Sequence, residues 1–146
     1  MNDGSTWIVV ADGGRARCFE ERRRGVALRE RADFALAHTA DDVVEGIRPG
    51  RIHESWGAAR HAVERGPDPH QTEEDHFLHR VVDRISAAAG DFDHLVILAP
   101  PRALGLIRAA LPKAVADKVA LSHAVDVVRE SAVEIAARLD ELRRPG

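Results

Sequence analysis

The chain has 146 residues, a formal net charge of −3 and 45% hydrophobic residues. That length suits a single domain, residues 1–146, able to bury roughly 70% of the surface its unfolded chain exposes, and that hydrophobicity excludes a disordered chain. The charge balance excludes a dedicated, strongly basic nucleic-acid binder, and no DNA partner is expected.

Cys18 is the lone cysteine, so no intramolecular disulfide can form, which fits a reducing compartment. Residues 1–14 carry no basic leader, and no apolar run approaches the roughly 20 residues of a spanning helix. A cytoplasmic protein with no membrane segment is expected.

Residues 6–12 form a first strand that ends in Asp12-Gly13-Gly14, where glycine can supply the positive φ of a tight hairpin. Residues 15–21 and 26–34 are predicted as second and third strands of an antiparallel meander, joined through Arg22-Arg23-Arg24-Gly25. Residues 35–71 lose all periodicity under repeated Gly and Pro and form a long loop, with a short helix expected at 55–64. Thr72-Glu73-Glu74-Asp75 has the capping-box pattern of a helix start. Phe77, Leu78, Val81, Val82 and Ile85 follow on one face, and Gly90 ends this helix.

The apolar run 95–99 stops at Pro100-Pro101, a buried strand feeding a helix. Pro101 suits the first turn of that helix, whose inner stripe is Leu104, Ile107 and Leu111. Residues 119–125 alternate as a last strand. Ser131 and Glu134 open a final helix with Ala132, Ile135, Ala136, Leu139 and Leu142 inward. The predicted order is βββ-α-β-α-β-α, an α/β fold with a mixed five-stranded sheet and helices on both faces.

Several segments carry a family likeness. They are Trp7 with Asp12-Gly13, Ala16-Arg17-Cys18-Phe19-Glu20, Pro49-Gly50-Arg51, and the strand–helix unit 96–108 with its Ala99-Pro100-Pro101-Arg102. Together these resemble the bacterial "protein required for attachment to host cells" family, over nearly the whole chain. That host attachment family is distantly similar to the middle domain of archaeal and eukaryotic class I release factors and Pelota. The resemblance therefore implies a ribonuclease H-like three-layer sandwich. In release factors the long loop carries a Gly-Gly-Gln tripeptide that promotes peptidyl-tRNA hydrolysis. Here the comparable region reads Gly50-Arg51-Ile52-His53, and no Gly-Gly-Gln occurs anywhere. The resemblance thus implies a non-enzymatic binding domain. Its partners would be ribosomal or transfer RNA, or proteins of the translation machinery.

The candidate binding residues lie in three places. Arg15, Arg17, Arg22, Arg23 and Arg24 belong to a stretch, 15–31, with seven arginines against three glutamates, a local net of +4. Such a stretch either contacts phosphate or is a solvated sheet edge that discourages pairing. Arg51, His53, Trp56, Arg60 and His61 stand in the long loop, where an aromatic beside cations can stack on bases or fold back over the core. Arg102 begins a helix just after a strand, where free N–H groups favour an anion.

Two rival classes are distinguishable. A metal-dependent hydrolase would use Asp12 with histidines, and His76, His79 and Asp83 share a helix face. Against it, no second carboxylate ends the neighbouring strand, Asp12 suits a turn, and the eight histidines form no spaced motif, so no metal or cofactor is expected. A homo-oligomeric or protein-interaction factor, acting on attachment indirectly, would use the loop's Val43, Val44, Ile47, Ile52 and Trp56.

Overall fold

The computed structural model describes residues 5–23, 25–37 and 69–144. The first hairpin pairs β1 (Thr6–Ala11) with β2 (Arg15–Glu21), in register from Thr6 opposite Glu21 to Ala11 opposite Ala16. Two short strands follow, β3 (Arg29–Glu30) and β4 (Leu36–Ala37), both antiparallel to β2. Helix α1 (Pro69–Ala87) and a 3-10 turn (Ala89–Asp91) lead to β5 (His94–Ala99). Next come α2 (Pro101–Ala110), the one-turn α3 (Lys113–Ala116), β6 (Val119–Ala124) and α4 (Ala132–Arg143).

The described strands form one mixed sheet in the order β3-β2-β1-β5-β6, with β4 beside β2. β1, β5 and β6 run parallel, because a helical segment carries the chain back before each new strand. β1 and β5 are buried on both faces, which is why each reads as an unbroken apolar run. Their alternate residues sort cleanly. Trp7, Val9, Leu95 and Ile97 face a core closed by α1, α2 and α3, while Ile8, Val10, Val96 and Leu98 face one closed by α4.

Four sequence expectations are corrected. The sheet has six strands, not five, because the strand predicted over 26–34 does not run through. Phe34 is drawn into the core against Trp7, ring centroids 6.2 Å apart and edge-on, and the chain turns at 32–35 to allow it. The chain then rejoins β2 as β4. The predicted hairpin turn also differs: Gly25, at φ +89°, is the one positive-φ glycine among the described residues. Gly13 instead makes room for α1, since a Cβ there would lie 2.8 Å from the Glu74 side chain.

α1 starts at Pro69, so Thr72 stands inside the helix rather than at its cap, and the helix ends at Ala87 ahead of Gly90. Proline is well placed in a helix's first turn, where its missing N–H has no helical partner. Finally, α3 was not expected: Pro112 breaks α2 and starts a fresh turn that buries Val115.

Other expectations hold. α2 begins at Pro101 and buries Leu104 and Ile107. The capping box of α4 forms, with Glu134 N–H donating to Ser131 Oγ (3.1 Å) and Ser131 N–H to Glu134 Oε1 (2.9 Å). The predicted helix at 55–64, and the loop apart from its two ends at β4 and α1, lie outside the described residues.

Candidate nucleic-acid interface

The arginines that are close in sequence separate in space. β2 rises about 3.3 Å per residue, so Arg15, exposed at its start, lies roughly 20 Å along the strand from Arg22 beyond its end. Arg22 and Arg23 are exposed in the turn after β2, where Val26 N–H closes on Arg23 O at 3.1 Å. Arg29 of β3 lies opposite Glu20 and joins them at that end of the sheet. None of Arg15, Arg22, Arg23 and Arg29 forms an ion pair with a described residue. That end of the sheet therefore carries three exposed guanidinium groups with no ion-pair partner among the described residues.

Arg17 and Arg31, both half-buried, are engaged by the protein's own groups. Arg17 grips both carboxylate oxygens of Glu30 at 2.9 Å and donates to Val128 O (2.8 Å) and Glu130 O (2.7 Å). The hydrogen bonds from Arg17 hold the Glu30 carboxyl below its ordinary range. Arg31 stacks its guanidinium 4.6 Å from the Trp7 ring and pairs with Glu20 and Asp33.

Arg102, at the first turn of α2, donates to Asp75 Oδ1 at 2.8 Å and lies 3.9 Å from Glu74 Oε1. Its charge is thus engaged between α1 and α2. Arg24, Arg51, His53, Trp56, Arg60 and His61 lie outside the described residues.

The residues of the hydrolase alternative do not converge. Asp12 Oδ1 accepts the Gly14 N–H at 2.9 Å, a local turn bond. His79 Nδ1 lies 3.0 Å from Asp75 O, one helical turn back. Among the described residues no group of three or more His, Cys, Asp or Glu is arranged to hold a metal ion, and no helix is long and apolar enough to cross a membrane.

One charged pair escaped the sequence reading. Glu21, buried at the end of β2, takes both guanidinium nitrogens of Arg143 at 2.9 and 3.0 Å. The signal was available in outline. A carboxylate that ends an alternating strand on its inward side needs a cation from elsewhere, but which cation depends on where the last helix lands.

A mixed parallel–antiparallel sheet, helices on both faces and an arginine-bearing outer hairpin define the class: an α/β domain with a basic rim on one edge. Residues 5–139 match bacterial archaeo-eukaryotic release factor family 12, and the chain belongs to that family. No curated protein matches the chain.

Proposed function

We infer that this protein is a non-enzymatic, cytoplasmic binding domain of ribonuclease H-like layout that associates with ribosomal or transfer RNA. The observation that carries the reading is membership, over nearly the whole length, of a release factor-like family. Support comes from Arg22, Arg23 and Arg29, three exposed cations at one end of the sheet without carboxylate partners among the described residues, which suit phosphate oxygens. In this reading Arg17 and Arg102 hold elements together, and Arg15 marks the far end of the same edge. Arg24 and the loop residues Arg51, His53, Trp56, Arg60 and His61 belong to the proposed surface by sequence alone. Kinship with the host attachment proteins is part of the same proposal, and any effect on attachment would follow indirectly from binding inside the cell.

The test is co-sedimentation with ribosomes and isolated subunits at about 50 and 200 mM salt. Three phosphate contacts would lower affinity about 20- to 40-fold over that range. Salt-sensitive pelleting, lost in Arg22→Glu/Arg23→Glu, is the expected result. Protein that stays in the supernatant at both salts, or a variant that pellets like the wild type, overturns the assignment.

A further inference from the structure

Three carboxylates border the arginine end of the sheet, and each is held by another arginine. Glu20 takes Arg31 at 3.3 Å, Glu21 takes Arg143 at 2.9 Å, and Glu30 takes Arg17 at 2.9 Å. Arg22, Arg23 and Arg29 stand exposed beside them, with no ion-pair partner among the described residues. Arg29 lies opposite Glu20, and Arg22 follows Glu20 by two residues, so the backbones of these two arginines stand within about 10 Å of each other. Positive charge is thus concentrated here, and the neighbouring carboxylates are already engaged.

The same end is poor in groups that read bases. Residues 15–31 contain no Asn, Gln, Ser, Thr, His or Lys. Val26, Ala27 and Leu28, between Arg23 and Arg29, are apolar. Adenine is read by Asn or Gln, and unpaired bases stack on aromatic rings. The described rings, those of Trp7, Phe19, Phe34, Phe77 and Phe92, are all buried. Arginine itself reads guanine in the major groove, which in an RNA helix is too deep and narrow for side chains. What remains to these guanidinium groups is phosphate, and a helix presents phosphates at high density whatever its sequence.

We propose that the rim formed by Arg22, Arg23 and Arg29 docks on the phosphate backbone of double-helical RNA without regard to base sequence. The proposal rests on the RNA association inferred above and specifies the form of RNA and the mode of recognition.

The experiment is fluorescence anisotropy of the full chain with RNA duplexes of two unrelated sequences, and with one strand of each, at about 50 and 200 mM salt. The two duplexes should bind within about threefold of each other, and each more tightly than its single strand, whose charge density is lower. Arg22→Ala/Arg23→Ala/Arg29→Ala should weaken both duplexes by the same factor. It should also reduce the slope of log affinity against log salt by about 2.7, close to 0.9 for each contact. Arg22→Lys/Arg23→Lys/Arg29→Lys should keep most of that slope, because an ammonium serves a phosphate as a point charge. All three side chains are exposed, so both variants should keep the wild-type circular dichroism spectrum. If the alanine variant misfolds, the lysine variant still separates charge contact from bidentate base reading. A sequence preference of about tenfold or more that either variant abolishes overturns the proposal, since bases would then be read at the rim. So does a preference for single strands that the alanine variant abolishes, or duplex binding that it leaves unchanged. Protein that pellets with ribosomes yet binds neither duplex overturns this proposal alone and leaves the rim to unpaired RNA or a ribosomal protein. Protein that does neither overturns the RNA association itself.

Discussion

Arg17 aims its guanidinium at four acceptors, two on Glu30 and the carbonyls of Val128 and Glu130, and so ties β2 and β3 to the turn before α4. Hydrogen bonds to a charged donor are among the stronger ones, and removing the donor leaves partly buried acceptors unpaired. Arg17→Ala should therefore cost about 2–3 kcal/mol, read as a lower urea midpoint. Arg17→Lys should recover only a fraction, because an ammonium cannot reproduce the planar fork. Arg22→Glu, on the open rim, should change stability by no more than about 0.5 kcal/mol. The same clamp sets an acid response. Glu30 is held below the ordinary carboxylate value by hydrogen bonds from Arg17, and Glu130 by those from Arg138. A carboxyl whose folded value is depressed contributes stability that is fully present above its unfolded value, near 4.5 here, and that is lost as pH falls through the folded value. The gap in urea midpoint between wild type and Arg17→Ala should thus hold steady from pH 7 to about pH 5 and narrow below about 4.5. A gap that stays constant down to pH 3 would mean that Glu30 is not the partner that matters.

Elements add a constraint that no single residue states, namely which ends must be joined. β2 ends on the buried Glu21, and α4 ends on Arg143, 122 residues later; their bidentate pair fastens the last helix to the hairpin. Arg143→Ala leaves a buried carboxylate without its cation and should cost about 3–5 kcal/mol in thermal or urea unfolding. Glu21→Leu/Arg143→Leu should regain most of that loss, since breaking a buried pair costs far more than replacing it with apolar side chains. The hairpin, β5, β6 and the helix stripes were legible because each signal is local. An apolar run bounded by Pro100-Pro101, a capping box at Ser131 and a period of about 3.6 need only their own neighbours. Residues 26–34 misled because their β-compatible side chains say nothing of the space beneath Trp7, which Phe34 leaves the ladder to fill. The +4 stretch misled in part for a similar reason. Arg17 and Arg22 lie five apart in sequence, but one is spent on carbonyls of the distant 128–130 turn while the other reaches solvent. The arginine content was visible, but its division into clamps and free cations is a tertiary fact.

At the scale of the molecule the central sheet is shared by two cores, and its adjacent residues report on both. Cys18 faces the core under α1 and α2, whereas Phe19, the next residue along β2, faces the core under α4. Cys18 is wholly buried, and burial pushes its thiol well above the ordinary range, so in the folded protein it is both inaccessible and un-ionised. Its reaction with a thiol reagent at pH 8 should therefore wait on opening of the sheet. That makes the lone cysteine a probe of whether the two cores open together. Leu139 of α4 is buried in the opposite core and touches none of the Cys18 side. If the sheet couples both layers into one cooperative unit, Leu139→Ala, costing about 3 kcal/mol, should speed Cys18 labelling about a hundredfold wherever labelling follows the open population. If α4 can detach while β1 and β2 stay closed, the same variant should unfold earlier by circular dichroism yet leave the labelling rate unchanged. The first outcome is expected, because β1 and β5 supply side chains to both cores from a single backbone, and neither face can lose its packing without loosening the strands that hold the other.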